Sequence, residues 1–357
     1  MRILIVGLGA AGQRHARNLR RLLGDGVELL ALRRRGGGAA LSDALRPHHG
    51  VLPEHSLDIS VFDDLGRALD ERPDGVVVAD PTSMHLATAS AALEAGCALL
   101  IEKPLSHSWN GIPEFLAAVS ESRAPVLVGY QLRFHPLLER VRALVQDGVF
   151  GPVVSAASTY GEYLPDWHPY EDYRAGYAAR RELGGGVLLT QIHDVDYLGW
   201  ILGWPPEVYS VGGHLSSLEV DVDDTAVSLW PCIINGRTVP VHLQQDCLRR
   251  PPVRRVELVM ESGAVHLDLL APHLRAWDAA ARCVIDESPE DYDRNDLFLA
   301  EMRHFLACIG GRETPRVPPA EAAKSLAVAL AALRSQTSGV VEDVIYPEDA
   351  TPAPTLP

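Results

Sequence analysis

The sequence predicts an α/β chain. An N-terminal doubly wound parallel sheet is followed by a C-terminal α+β domain on an open, mostly antiparallel sheet. Three observations carry this. Short apolar runs alternate with helical patterns as far as Gly129; beyond about residue 150, strand follows strand with one strong helix among them; and 357 residues exceed most single domains. The expected division is 1–128, 129–346 and a Pro-rich tail, 347–357.

The elements follow in order. Arg2–Val6 is a short apolar strand. Ala11–Leu23 is amphipathic, with Leu19, Leu22 and Leu23 on one side and Arg14, Arg17, Arg20 and Arg21 exposed. Val27–Leu32 is the second strand, and Asp63–Glu71 a helix capped by Asp63 or Asp64. Gly75–Ala79 carries a valine core, His85–Ala95 is a helix closed by Gly96, Ala98–Ile101 a strand, Trp109–Ser122 a helix, and Val126–Gly129 a strand. Continuous apolar strands between helices mean a sheet buried on both faces.

In the second half, Val153–Tyr160, Val208–His214, Ala226–Pro231, Thr238–Gln244, Arg255–Met260 and Ala264–Leu269 read as strands. Many alternate, as in Val239-Pro240-Val241-His242-Leu243, the pattern of a half-buried face. The helix among them spans Gly186–Leu202. Asp296–Ile309 and Pro319–Ser335 are the last helices. Segments 33–58 and 161–185 show no period. The second is dense in aromatic and ionisable residues, a composition typical of functional loops.

Composition narrows the classes. The chain is 47% apolar with a formal charge of −15. That balance disfavours nucleic acid, whose phosphates need clustered cations. Five scattered cysteines without a CxxC pair suit a reducing cytoplasm better than structural zinc or disulfides. No apolar run reaches membrane-spanning length, and the N-terminus reads as a strand, not a signal peptide. No metal, membrane or nucleic-acid partner is expected.

Gly7-Leu8-Gly9-Ala10-Ala11-Gly12 is GxGxxG, placed after a strand and at the start of a helix, as a dinucleotide-binding Rossmann unit requires. Gly7 permits the tight turn, Gly9 lets pyrophosphate approach the backbone, and Gly12 lets helix pack on strand. The helix N-terminus opening at Ala10 and Ala11 receives the phosphates. No carboxylate ends the second strand. Arg33, Arg34 and Arg35 stand there instead, and a guanidinium grips a ribose 2′-phosphate. NADP(H) is therefore the preferred cofactor and NAD(H) the second choice; the alternative is that these arginines solvate a surface loop.

Lys103 and Lys324 are the only lysines among 32 basic residues. An ammonium can transfer a proton where a guanidinium does not. Lys103 stands in Glu102-Lys103-Pro104, directly after a sheet strand, at the edge where doubly wound folds bind ligands. The Tyr-x-x-x-Lys pair of short-chain dehydrogenases is absent: Leu99 and Ala320 stand four residues before the two lysines.

Taken together, the motifs resemble the Gfo/Idh/MocA family of oxidoreductases. The matching pieces are Gly7–Gly12 with His15, Pro81-Thr82-Ser83-Met84-His85, Glu102-Lys103-Pro104, Gly129–Pro136, Gly184-Gly185-Gly186 leading to His193-Asp194-Val195-Asp196, and Glu301-x-x-x-Phe305. The resemblance implies oxidation of a hydroxyl, or reduction of a ketone, on a sugar, inositol or nucleotide-sugar. It implies that Lys103 bonds the reacting oxygen, that His193 is the acid/base, and that Glu102, Pro81, Thr82, His85 and Gln131 line the cofactor. A homodimer or homotetramer paired through the open sheet is also implied. His193 suits proton exchange near neutral pH.

One departure stands out. Many relatives carry Asp four residues before this His; here Leu189 and Thr190 occupy that stretch, so Thr190 offers a hydroxyl; Asp194 and Asp196 lie nearby, and Asp196, three residues on, is the candidate for orienting the ring. Segment 161–185 precedes the His193 helix and is expected to line the substrate pocket. Tyr163 and Trp167 can stack on a sugar face, His168 can bond hydroxyls, and Arg174, Arg180 and Arg181 can hold an anionic group. A nucleotide-linked or amino-sugar substrate fits. Two other readings stay open: a non-catalytic dinucleotide-binding sensor, and an NAD-dependent, redox-neutral glycosidase.

Overall fold

The computed structural model describes residues 1–33, 39–42, 46–48 and 50–348. Its contacts define two units. The first is Met1–Gln131 with Glu182–Gly184 and Asn295–Ala323; the second is Leu132–Arg181 with Gly185–Arg294 and Lys324–Pro357.

In the first unit the apolar runs form β1 (Arg2–Val6), β2 (Glu28–Leu32), β3 (Ile59–Phe62), β4 (Gly75–Val78), β5 (Ala98–Glu102) and β6 (Val126–Gly129), with helices α1 (Ala10–Leu23), α2 (His85–Glu94) and α3 (Ile112–Glu121) between them. All strand pairs are parallel, in the order β3-β2-β1-β4-β5-β6. Ile3, Leu4, Ile5, Val76, Val77, Val78, Leu99, Leu100 and Ile101 are fully buried and form the core. The strand order reverses between β1 and β4, and ligands bind beyond the carboxyl ends at such a switch. The edge strand β3 was not anticipated: two of its four residues are exposed, so it lacks the apolar run of its neighbours. The helix expected over Asp63–Glu71 spans Leu65–Asp70, and Asp64 caps it by accepting from the Arg67 N–H at 2.9 Å. The start of α3 lies at Ile112, because Gly111 adopts a left-handed φ of +79° and Pro113 follows.

The second unit contains α4 (Pro136–Gln146), β7 (Val153–Gly161), α5 (Val187–Thr190), α6 (His193–Leu202), β8 (Glu207–Gly213), β9 (Thr225–Ile234), β10 (Arg237–Asp246), β11 (Val253–Met260), β12 (Gly263–Asp268), β13 (His273–Asp278) and β14 (Cys283–Glu287). The chain continues with α7 (Asn295–Ile309), α8 (Pro319–Ser338) and the short β15 (Glu342–Asp343). The sheet order is β14-β13-β12-β11-β7-β10-β9-β8-β15. Every pair is antiparallel except β7 with β10. Alternation gives the sheet two characters. Ala226, Ser228, Trp230, Val241, Leu243, Val256 and Leu258 are buried, while Tyr209, Val211, Leu229 and Val259 on the opposite face are 38–56% exposed.

The structure corrects three sequence expectations here. The single helix Gly186–Leu202 is two, α5 and α6. At the break the Gln191 carbonyl accepts from Gln245 Nε2 at 2.7 Å and from the Asp194 N–H at 3.3 Å, in place of the bond four residues on that would continue the helix. Strands β13 and β14, and helix α4, were missed. And α7 joins the first unit, not the second domain to which 129–346 had assigned it. Its Phe305 and Ile309 fill the space left by the missing side chain of Gly75, at 3.0–3.1 Å from where a Cβ would stand, and Asn295 pairs with Asn18 of α1 at 2.8 Å. No helix among the described residues is long and apolar enough to cross a membrane.

Candidate active site

The turn from β1 into α1 has the shape of a phosphate cradle. A Cβ on Gly7 would sit 2.5 Å from the Ala79 carbonyl oxygen, and Gly7 has φ +96°. A Cβ on Gly12 would sit 1.9 Å from the Gly7 carbonyl oxygen, so only glycine lets α1 pack this close. A Cβ on Gly9 would meet nothing within 4 Å, leaving an open approach to the backbone. No side chain caps the N-terminus of α1 at Gly9, and its first turn, with Ala10 and Ala11, holds no acidic residue. These features fit the pyrophosphate of a dinucleotide, which such a helix end attracts through its N–H groups and dipole.

The same sheet edge gathers the residues after β4, β5 and β6. Pro81 and the buried Thr82 follow β4, Lys103 half-buried follows β5, and buried Gln131 follows β6. Glu102 points to α1, where His15 Nε2 donates to its Oε1 at 2.7 Å. Burial alone would push the Glu102 carboxyl up; the His15 hydrogen bond, with the charges of His15, Lys103 and His85, holds it below the usual range. Glu102 thus serves His15, a partner the sequence reading did not assign. His85, expected along the cofactor, is 2% exposed, and both its ring nitrogens lie 2.8 Å from backbone carbonyl oxygens, Nδ1 from Pro104 and Nε2 from Asp80. Glu301 on α7 is buried, and neither carboxyl oxygen has a hydrogen-bond partner among the described residues. Burial, then the charge of Glu102, pushes it well above the usual range.

At the end of β2, Arg33 Nη1 donates to Glu54 Oε2 at 2.6 Å, in a pair 10% and 18% exposed. The guanidinium read as a 2′-phosphate ligand is therefore matched to a carboxylate of this chain. Arg34 and Arg35 lie outside the described residues.

In the second unit, His193 opens α6 and is buried. Its flanking carboxylates are both taken by arginines. Asp194 Oδ2 accepts from Arg254 Nη2 at 2.6 Å, and Asp194 Oδ1 accepts from the Tyr197 hydroxyl. Arg254 also lies over the Tyr160 ring at 4.3 Å. Asp196 accepts two bonds from Arg133, at 2.7 and 2.8 Å, and Arg133 lies over Trp200. The carboxylate suggested for orienting the His193 ring is thus engaged in a bidentate ion pair. The Thr190 hydroxyl donates to the Gly186 carbonyl at 2.7 Å. Gly186, at φ +105°, leaves room for Asp223, whose carboxylate accepts from the Leu188 N–H at the start of α5.

Segment 161–185 contains one helical turn, Leu164–Trp167, and three 3₁₀ turns. Tyr163 stacks under Arg250 at 3.8 Å, and His168 packs against Tyr170. The Trp167 indole N–H is buried with no acceptor among the described residues. Arg174 is held by Asp172 at 2.8 and 3.0 Å and by Glu219 at 3.0 Å. Arg181 donates to the Asp221 carbonyl at 2.7 Å. Arg174 is therefore engaged with acidic side chains through its whole fork, and the Arg181 guanidinium with a backbone carbonyl.

Two family profiles match this sequence. Residues 1–130 match an oxidoreductase family with an NAD-binding Rossmann fold, and residues 138–266 match the Gfo/Idh/MocA C-terminal domain. The chain belongs to the Gfo/Idh/MocA family. It is similar to 2,7-anhydro-N-acetylneuraminate hydratase of Mediterraneibacter gnavus, 28% identical over 196 residues, spanning 54% of this chain and 50% of that one. The chain thus spans about half the length of that relative. It is also similar to scyllo-inositol 2-dehydrogenase (NAD(+)) of Bacillus subtilis, 25% identical over 349 residues and 95% of each chain. Among solved structures, the WlbA dehydrogenase of Bordetella pertussis, in complex with NADH and UDP-GlcNAcA, superposes with a TM-score of 0.77 at 21% identity, over 96% of this chain and 98% of that one. That likeness concerns the fold.

Motif reading missed the two arginines that hold the α6 aspartates. Arg133 and Arg254 stand 63 and 60 residues from their aspartates, and no local spacing joins them. Arg133 does lie inside the Gly129–Pro136 stretch that carried the resemblance, which was the one available signal.

Proposed function

We propose that the protein is a nicotinamide-dependent oxidoreductase acting on a hydroxyl-bearing carbon of a sugar, and of a nucleotide-linked or amino-sugar derivative in particular. The observation that carries this is the placement of Lys103 on the same sheet edge as the Gly7–Gly12 cradle, after β5 and β1 of one parallel sheet. Bound there, the cofactor supplies a hydride acceptor or donor. Gly7, Gly9, Ala10, Ala11 and Gly12 hold its phosphates. Lys103 holds the reacting oxygen and stabilises charge developing on it. His193 exchanges the hydroxyl proton, so that in oxidation the C–H leaves as hydride and the O–H as a proton on the imidazole. Trp167 offers its unpaired indole N–H to a substrate acceptor, with Tyr163 and His168 in the same segment. The UDP-sugar in the Bordetella neighbour supports the substrate class.

The cofactor is assigned as NAD(H) or NADP(H). The Arg33–Glu54 pair argues against a ready 2′-phosphate site at Arg33, and the neighbour's NADH agrees with that. A second reading, redox-neutral turnover with the dinucleotide retained, is favoured by the hydratase relative. We further propose a homodimer or homotetramer in the cytoplasm. The exposed apolar residues Val211, Leu229 and Val259 would be covered by a second copy, and all five cysteines are free thiols.

The test is absorbance at the nicotinamide wavelength, with both cofactors offered alongside sugars, inositols and nucleotide-sugars. Lys103→Met is expected to lower kcat by about 10²–10³-fold, as for loss of an oxyanion donor, with the NADH dissociation constant unchanged. Near-parental turnover in that variant overturns the assignment. Substrate conversion without net absorbance change supports the redox-neutral reading.

A further inference from the structure

The ring of His85 stands between two groups that can only accept hydrogen bonds. Its Nδ1 is 2.8 Å from the Pro104 carbonyl oxygen and its Nε2 is 2.8 Å from the Asp80 carbonyl oxygen. A neutral imidazole has one N–H, so it would set a bare nitrogen lone pair against one of these oxygens. With the ring 2% exposed, no solvent is at hand to relieve that repulsion. Both contacts are attractive only when both nitrogens carry protons, and a charge-assisted bond is about twice as strong as a neutral one.

The two carbonyls are not arbitrary. Asp80 follows β4 and leads into Pro81 and Thr82. Pro104 is the residue after Lys103. We propose that His85 is a positioning residue: a buried imidazolium that ties the end of β4 to the end of β5 and thereby fixes the backbone from which Lys103 projects. It touches neither substrate nor cofactor through its nitrogens. The charged and titratable groups around it are Asp80 on β4's exit, Glu102 and Lys103 on β5's exit, and His107 in the following turn. On α2 itself, Thr88 donates to the Asp80 carboxylate at 2.7 Å.

The claim about the ring stands apart from the proposed reaction; the claim about Lys103 rests on it. Two measurements separate them. The first is ¹⁵N NMR of the full chain labelled at histidine, with the His85 resonances assigned by their absence from His85→Gln. Two protonated ring nitrogens at neutral pH are expected; one protonated and one bare nitrogen overturns the imidazolium. The second is steady-state kinetics of His85→Asn and His85→Gln, each of which keeps one donor. Both are expected to lose about 10²-fold in kcat, the cost of a misplaced catalytic group, with KM and the NADH dissociation constant within about twofold. An unchanged kcat, or a loss confined to cofactor affinity, overturns the positioning role. If the parent enzyme turns over no offered substrate, the proposed reaction fails while the NMR result still decides the ring.

Discussion

The turn after β5 and the first turn of α6 each place acidic side chains beside a residue proposed to act on substrate, and they neutralise those acids differently. Glu102, next to Lys103, is paired with a histidine. Asp194 and Asp196, next to His193, are paired with arginines and almost fully buried. A guanidinium keeps its charge at any pH a protein survives, so the basic partner in the frame of α6 is indifferent to pH. A histidine–carboxylate pair is not. One proposed catalytic group therefore stands on fixed props and the other on titratable ones.

The largest expected effect breaks the fixed side. Asp196→Asn leaves the buried Arg133 fork without a counter-charge and is expected to cost about 3–5 kcal/mol of stability, read by urea denaturation. A loss below about 1 kcal/mol would show that α6 does not depend on this pair. The titratable side is probed by two carboxyls with opposite shifts. The Glu301 carboxyl is pushed well above the usual range in the fold by burial, while in the unfolded chain it ionises above about pH 4.3. Its folded value is raised, so stability falls as pH climbs past the unfolded value. Glu301→Gln should raise the melting temperature at pH 8, with the gain gone by pH 4. Glu102 is shifted the other way. Its contribution is present above the unfolded value and is lost as pH falls through the lower folded one. Glu102→Gln should flatten the acid limb of the stability profile below about pH 4.3 and lower stability at pH 7; an unchanged acid limb would remove the contrast. The smallest effect concerns the adenosine end. Glu54→Gln releases Arg33 and is expected to shift the NADPH-to-NADH affinity ratio toward NADPH by up to about tenfold, or about 1.4 kcal/mol, measured by fluorescence titration.

Legibility followed the same line as the contrast. Where a feature is written in neighbouring residues, the sequence declared it. Gly7, Gly9 and Gly12 announce the cradle because they fall within six residues between a strand and a helix, and the continuous apolar runs of β1, β4 and β5 announce a sheet buried on both faces. The helices around them were placed to within a few residues. Where a feature is made by distant chain segments, the sequence stayed silent. Nothing near Asp196 says that Arg133 will claim it, and nothing near Arg33 says that Glu54 will. The break between α5 and α6 depends on Gln245, on a strand far along the chain. Strands β3 and β14 escaped because edge strands expose residues that would otherwise carry the apolar signal.

The place of β7 in its sheet has a consequence for how the protein is made. It is the first strand of the nine to leave the ribosome, yet it lies between β10 and β11, which begin at Arg237 and Val253. Both its edges stay without hydrogen-bonding partners until at least the stretch beginning at Arg237 has been synthesised. At about 5–20 residues per second, that interval lasts on the order of 4–15 seconds. Long-range pairing of this kind forms more slowly than local pairing. During that interval a nine-residue strand with open edges is the segment of the nascent chain that a chaperone has most reason to hold.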